Sequence, residues 1–217
     1  MATIFFDYDG TLHDSMAIYG PSFRTAYAWL VEEGHCPERE FDDAWISQWL
    51  GWTAEAMWTT FAPDLPSEVW HRAADIVGES MDALTAQGKA RFFEGISEML
   101  DELKGEGYEL AFLSNCRNAY CAVHRSQFGL DRWFDAYYCA EDFNDIPKWQ
   151  IYQEVCGRHS RPQVMVGDRF HDLDVATRSG IPSVGCAYGF GREGELDAAS
   201  LVAGSPSEIP DLIEKLL

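Results

Sequence analysis

From about Phe92 onward the chain alternates short apolar runs with amphipathic segments, and few folds can absorb that alternation. The segment 95–106 repeats apolar residues at helical spacing through Ile96, Met99, Leu100 and Leu103, and Gly105 with Gly107 closes it. A strand is expected over 109–113, a helix over 118–128 stopped by Gly129, and a short strand over 136–139. A helix over 149–158, a strand over 163–166, a helix over 173–179 and a strand over 182–187 complete the series. Thr3, Ile4, Phe5 and Phe6 form one more buried run near the start. Strands separated by helices of this length cannot be antiparallel hairpins. They predict an α/β fold, a doubly wound and mostly parallel sheet with helices on both faces.

The segment 15–91 breaks the pattern. It is rich in Trp, Ala and Glu and has helical periodicity, as in Phe23, Tyr27, Leu30 and Val31, without an obvious strand. Its second long stretch, 67–87, offers Ser67 as N-cap and sets Val69, Trp70, Ala73, Ile76 and Val77 on one face. The expected organisation is therefore a sheet domain built from 1–14 and 92–217, interrupted by a helical domain over 15–91.

With 217 residues and 47% hydrophobic side chains, the chain can bury a substantial core. Its formal charge of −20 shows no basic patch, which argues against nucleic acid or anionic lipid as partner. Cys36, Cys116, Cys121, Cys139, Cys156 and Cys186 form no C-x-x-C pair, so reduced and mostly buried thiols are expected rather than a zinc or redox motif. His13, His35, His71, His124, His159 and His171 show no ligand spacing and read as structural or solvated. No run of about 18 apolar residues occurs, and no basic leader precedes the first strand. A cytoplasmic protein is the expectation.

In open parallel sheets, ligands bind beyond the carboxyl ends of the strands, so the residues there must be considered together. Asp7 and Asp9 follow the first strand, with Gly10 and Thr11. Two carboxylates this close repel, and a bound cation, protonation of one partner, or both must relieve them. A metal there would leave Asp7 able to attack an electrophile and Asp9 able to move protons; the plainer alternative is a polar loop. Ser114 and Asn115 follow the second strand and offer a hydroxyl and an amide to a phosphoryl oxygen. Lys148, one of only four lysines, is the best placed to bring positive charge to a site crowded with carboxylates. Asp168 and Asp172 follow the strand at 163–166 and could bind a divalent cation, or act as N-cap and first-turn acid.

These four sets, in this order, resemble the haloacid dehalogenase superfamily. Residues 7–15, Asp-Tyr-Asp-Gly-Thr-Leu-His-Asp-Ser, look like the opening signature of its phosphoglycolate phosphatase-like branch. The helical insertion resembles that branch's α-helical cap, and Phe93, Glu94 and Gly95 resemble the re-entry into its Rossmann-like core. The resemblance implies that Asp7 is a nucleophile forming an aspartyl phosphate and Asp9 the acid and base. It implies that Asp7, Asp168 and the backbone carbonyl of Asp9 bind Mg²⁺, with Asp172 in support or binding directly. Ser114 and Lys148 would hold phosphoryl oxygens, with Asn115 and Thr11 close by. Gly51 and Trp52, with Thr53, resemble the cap loop that reaches toward the leaving group, while Trp45, Trp49 and Trp58 read as helical core.

Asp9 points away from dehalogenases, which lack a second aspartate there. Trp149 stands where the branch usually has proline, and Arg169 where it often has a small residue; Arg169 could pair with Asp172, reach a substrate carboxylate, or form a surface salt bridge. The implied function is a Mg²⁺-dependent phosphatase acting on a small phosphorylated metabolite, of phosphoglycolate or sugar phosphate type. A phosphomutase or a non-catalytic binding protein on the same fold are the alternatives. Gly189, Gly191 and Gly194 also match G-x-G-x-x-G, the mark of a dinucleotide site, but too little chain follows for the usual βαβ unit, and Glu193 with Glu195 would repel a pyrophosphate.

Overall fold

The computed structural model describes residues 2–217. In chain order the elements are β1 (Thr3–Phe6), α1 (Met16–Glu32), α2 (Asp43–Ser47), α3 (Ala54–Phe61), α4 (Ser67–Ala86), α5 (Ile96–Gly105), β2 (Glu109–Ser114) and α6 (Asn118–Phe128). There follow β3 (Ala136–Cys139), α7 (Lys148–Val155), β4 (Gln163–Gly167), α8 (Phe170–Ser179), β5 (Ser183–Cys186), β6 (Leu201–Ala203) and α9 (Ile209–Leu216). Two compact units result, one from residues 2–14 and 92–217, the other from 15–91.

In the first unit six strands form one sheet in the order β3-β2-β1-β4-β5-β6, every pairing parallel. The period-two alternation of strand side chains divides the core into two layers. Ile4 and Phe6 of β1, Leu110 and Phe112 of β2, and Val164 and Val166 of β4 face one layer, with Ile96, Met99, Leu100 and Leu103 of α5 and Ile209 and Ile213 of α9. Phe5, Ala111, Leu113 and Met165 face the other, with Ile151, Tyr152 and Val155 of α7 and Val175 and Ala176 of α8. These strand residues are fully buried, each contributing about 1.5–3 kcal/mol for a large side chain. A central strand buried on both faces explains the unbroken apolar run at 3–6.

The chain builds outward from β1 through β2 to β3, then returns to β4 on the other side of β1 and runs outward to β6. Strand order therefore reverses between β1 and β4. That switch point is where a doubly wound sheet opens a crevice at its carboxyl edge.

In the second unit α1 packs on α4. Phe23, Tyr27, Phe41, Trp45, Trp58 and Phe61 form its aromatic core, with Phe41 stacked on Trp45 at 4.2 Å between ring centroids. Short helices here rely on side-chain caps: Asp42 accepts the Trp45 N–H at 2.7 Å, and Thr53 accepts the Ala56 N–H at 3.3 Å. Ser67 does not cap α4. It is the first helical residue after Pro66, and its hydroxyl meets His71 Nδ1. Of the expected apolar face, Val69, Ala73 and Val77 are buried, while Trp70 and Ile76 are only half-buried at its margins.

Candidate active site

The ends of β1 and β4 bring Asp7, Asp168 and Asp172 together, with one carboxylate oxygen of each lying within 4.8 Å of the others. All three are buried. The only cation among the four expected strand-end sets, Lys148, reaches them from the first residue of α7. Its Nζ donates to Asp7 Oδ1 and to Asp172 Oδ1, both at 2.6 Å. The side chain of Lys148 is 2% exposed, so this is a buried ion network and not a solvated loop lysine.

Three carboxylates against one ammonium leave the cluster short of positive charge. Burial, then Asp172, push the Asp7 carboxyl up to about 7, although Lys148 pulls the other way. Burial, then Asp7 and Asp172, raise Asp168 well above the ordinary carboxylate range. Burial opposes the charge of Lys148, but Asp172 and Asp7 outweigh it and hold the ammonium charged. A divalent cation would relieve this imbalance. The donor set, hard carboxylate oxygens without thiol or imidazole, fits Mg²⁺.

Asp168 is held from two sides. Its Oδ1 accepts from the Thr11 hydroxyl at 3.3 Å and its Oδ2 from the Phe190 N–H at 2.7 Å. Thr11 is thus fully buried and turned onto a carboxylate, and its carbonyl is held in turn by the Tyr188 hydroxyl at 2.8 Å. Asp172 meets both of its expected alternatives at once: Oδ1 takes Lys148, while Oδ2 accepts the Arg169 N–H at 3.0 Å and closes the first turn of α8. Arg169 itself is buried. Its guanidinium makes a two-pronged pair with Glu195, Nε at 2.7 Å and Nη2 at 3.2 Å, where a partnership with Asp172, a reach to a substrate carboxylate or a surface salt bridge was expected.

Asp9 lies outside the three-carboxylate group. Its Oδ1 accepts from the Tyr120 hydroxyl at 2.8 Å and lies 3.2 Å from His13 Nδ1. Tyr120 also meets His13 Nδ1 at 3.1 Å, and behind them the Tyr8 hydroxyl meets His124 Nδ1 at 2.7 Å. The sequence did not show that these side chains converge, although both histidines are buried, in keeping with the structural alternative of their reading. The signal available was the stripe Tyr120, His124, Phe128 at i, i+4, i+8 along α6.

Ser114 ends β2 and is 2% exposed, and its Oγ accepts the Cys116 N–H at 3.3 Å. Asn115 follows it in the half-exposed turn. Gly51 and Trp52 lie on the helical unit. Gly51 takes a positive φ of 81°, and the Trp52 ring sits edge-on to Trp49 at 5.6 Å.

Two glycines make the cluster possible. Gly10 turns at φ 86°, and a Cβ there would lie 2.2 Å from Asp168 Oδ2. A Cβ on Gly189 would lie 2.4 Å from both Asp168 Cβ and the Gly10 carbonyl oxygen. The first glycine of the G-x-G-x-x-G run is therefore needed for the loop after β5 to close over Asp168, which removes the reason to read it as a pyrophosphate turn.

The model of the haloacid dehalogenase-like hydrolases matches residues 4–186. A 5'-nucleotidase of Pseudomonas aeruginosa is 35% identical over 112 residues, a match spanning 50% of this chain and 51% of that protein. A phosphoglycolate phosphatase of Synechococcus elongatus is 25% identical over 220 residues, covering 100% of this chain and 96% of the other. The crystal structure of a predicted phosphatase from Clostridium acetobutylicum superposes with a TM-score of 0.83 at 23% identity, over 99% of both chains, and shares the fold.

Proposed function

The chain belongs to the haloacid dehalogenase-like hydrolases, and on that premise we propose that it is a Mg²⁺-dependent phosphatase hydrolysing a small phosphate monoester, of phosphoglycolate or sugar phosphate type, through phosphorylated Asp7. The observation that carries the reading is the buried group of Asp7, Asp168 and Asp172 bridged by Lys148 at the switch point of the sheet. Asp9 stands beside it in a separate hydrogen-bonded setting.

Mg²⁺ held by Asp7, Asp168 and the Asp9 backbone carbonyl would neutralise charge on the transferring phosphoryl group, the dominant demand of this chemistry. In the first step a carboxylate oxygen of Asp7 forms a bond to phosphorus while the ester oxygen departs, taking a proton from Asp9. In the second, Asp9 accepts a proton from water as it attacks phosphorus, and Asp7 leaves as the free carboxylate with inorganic phosphate released. Lys148 and Ser114, with Asn115, hold phosphoryl oxygens. Asp172 orients Lys148, and Thr11 orients Asp168. On the family resemblance, Gly51 and Trp52 are the residues to substitute when recognition of the organic part is tested.

Phosphate release should be measured over a panel of phosphorylated metabolites, with Mg²⁺ and with EDTA, for the native protein and Asp7→Asn. Metal-dependent release that falls roughly 10⁴-fold or more in the variant supports the mechanism. Full activity in Asp7→Asn would sink it. Transfer of phosphate to a sugar hydroxyl without release to water would assign a mutase instead.

A further inference from the structure

Among the described residues, a second group of potential ligands stands apart from the carboxylates. Cys116, Cys121 and Cys139 place their sulfurs within 4.8 Å of one another, and Cys116 Sγ lies 3.9 Å from Cys139 Sγ. No pair among them has the spacing of a zinc motif, because each comes from a different element. Cys116 follows β2, Cys121 lies in the first turns of α6, and Cys139 ends β3. The sheet makes them converge: Cys139 is the register partner of Ser114, two residues before Cys116. Asn118 fixes the approach of α6, since its N–H donates to Glu141 at 2.7 Å and its side-chain amide to Asp142 at 2.5 Å. The sulfurs are thus positioned by sheet register and by a clamp, not by chance proximity on a mobile loop.

We propose that Cys116, Cys121 and Cys139 form a three-thiolate site for a soft divalent cation of the zinc class. A Zn–S bond of about 2.3 Å in a tetrahedral site puts neighbouring sulfurs about 3.8 Å apart, close to the separation of Cys116 and Cys139. A disulfide needs about 2.05 Å, so that pair would have to close much further to oxidise than to ligate. Cys121 and Cys139 are buried and Cys116 is half-buried, and with three protein sulfurs the fourth position of a tetrahedral site would go to an exogenous ligand. Soft thiolates select zinc-class ions while carboxylates and carbonyls select Mg²⁺, so the two groups would sort two ions without competition. The Cys116 N–H donates to Ser114 Oγ, so an ion bound here would also stiffen the turn carrying Ser114 and Asn115.

The test uses the full chain, reduced, in excess Mg²⁺, with Zn²⁺ alone as probe. Zinc-edge X-ray absorption of the native protein should show about three sulfurs at about 2.3 Å. Competition against a chromophoric chelator should give one tight equivalent, with affinity falling roughly a hundredfold or more in Cys121→Ser and Cys139→Ser and unchanged in Cys156→Ser. Cobalt(II) should give thiolate charge-transfer absorption in the native protein. An all-oxygen or nitrogen shell, unaltered affinity in a folded Cys121→Ser, or oxidation of the cluster to a disulfide with no zinc uptake by the reduced protein would each overturn the proposal. Should the serine variants fail to fold, the native absorption spectrum decides alone.

Discussion

Lys148 is the residue on which the charge balance of the carboxylate group turns. Truncating one partner of a buried ion network strands the others, at a cost of about 3–5 kcal/mol. Lys148→Ala should therefore lower the unfolding free energy obtained from urea titration by about 3–5 kcal/mol in EDTA, and Mg²⁺ should recover part of the loss. Tyr120 makes the corresponding prediction for Asp9. Its hydroxyl donates to a carboxylate at 2.8 Å, and such bonds are worth about 1.5–3 kcal/mol. Tyr120→Phe should thus lower kcat for phosphate release by roughly tenfold to a hundredfold with little change in the circular dichroism spectrum. An unaltered kcat would mean that His13 alone suffices to place Asp9.

The loop after β5 illustrates how elements, and not single side chains, set the site. Gly189→Ala would drive a methyl into the Asp168 side chain and the Gly10 carbonyl, and overpacking costs typically 1–3 kcal/mol or more. We expect a lowered urea midpoint together with weakened Mg²⁺ binding by calorimetry. Nothing in the spacing of these glycines announces that role, because it depends on an approach to a residue from another strand. The strands β1 to β5 were legible, since buried parallel strands read as unbroken apolar runs. The edge strand β6 was not: it has three residues, and Val202 is 48% exposed. Helix α8 starts at Phe170, ahead of the expected 173, because Asp172 closes its first turn from within a segment whose polarity suggests a loop. The paired carboxylates and Lys148 were readable from their strand-end positions, whereas the Tyr120 and His13 surroundings of Asp9 and the three-thiol group needed the topology that joins β2, β3 and α6.

At the scale of the whole molecule the carboxylate group links pH, metal and stability. A carboxyl whose pKa is raised on folding stabilises the fold below its unfolded value near 4, and that contribution is lost as pH rises through the folded value. For Asp7, pushed up to about 7, the loss runs from about pH 4 to about pH 7, and the raised Asp168 acts in the same direction. A cation reverses the sign by favouring the ionised forms, so stabilisation by Mg²⁺ should be small at pH 5.5 and large at pH 8. At a hundred times its Kd, bound Mg²⁺ contributes about 2.7 kcal/mol. Thermal unfolding with Mg²⁺ and with EDTA should then differ by roughly 5–10 °C at pH 8 and by much less at pH 5.5; equal differences would deny the link. The position of β1 adds a constraint on the making of the protein. Its hydrogen-bonding partners on either side are numbered 109–112 and 163–166, so while the polypeptide is emerging from the ribosome this apolar strand waits with both edges open. Neither edge can pair until residues 109–112 have emerged, and one edge stays open until residue 166 has left the exit tunnel, so a stall in that interval would invite chaperones or aggregation rather than a partly active enzyme.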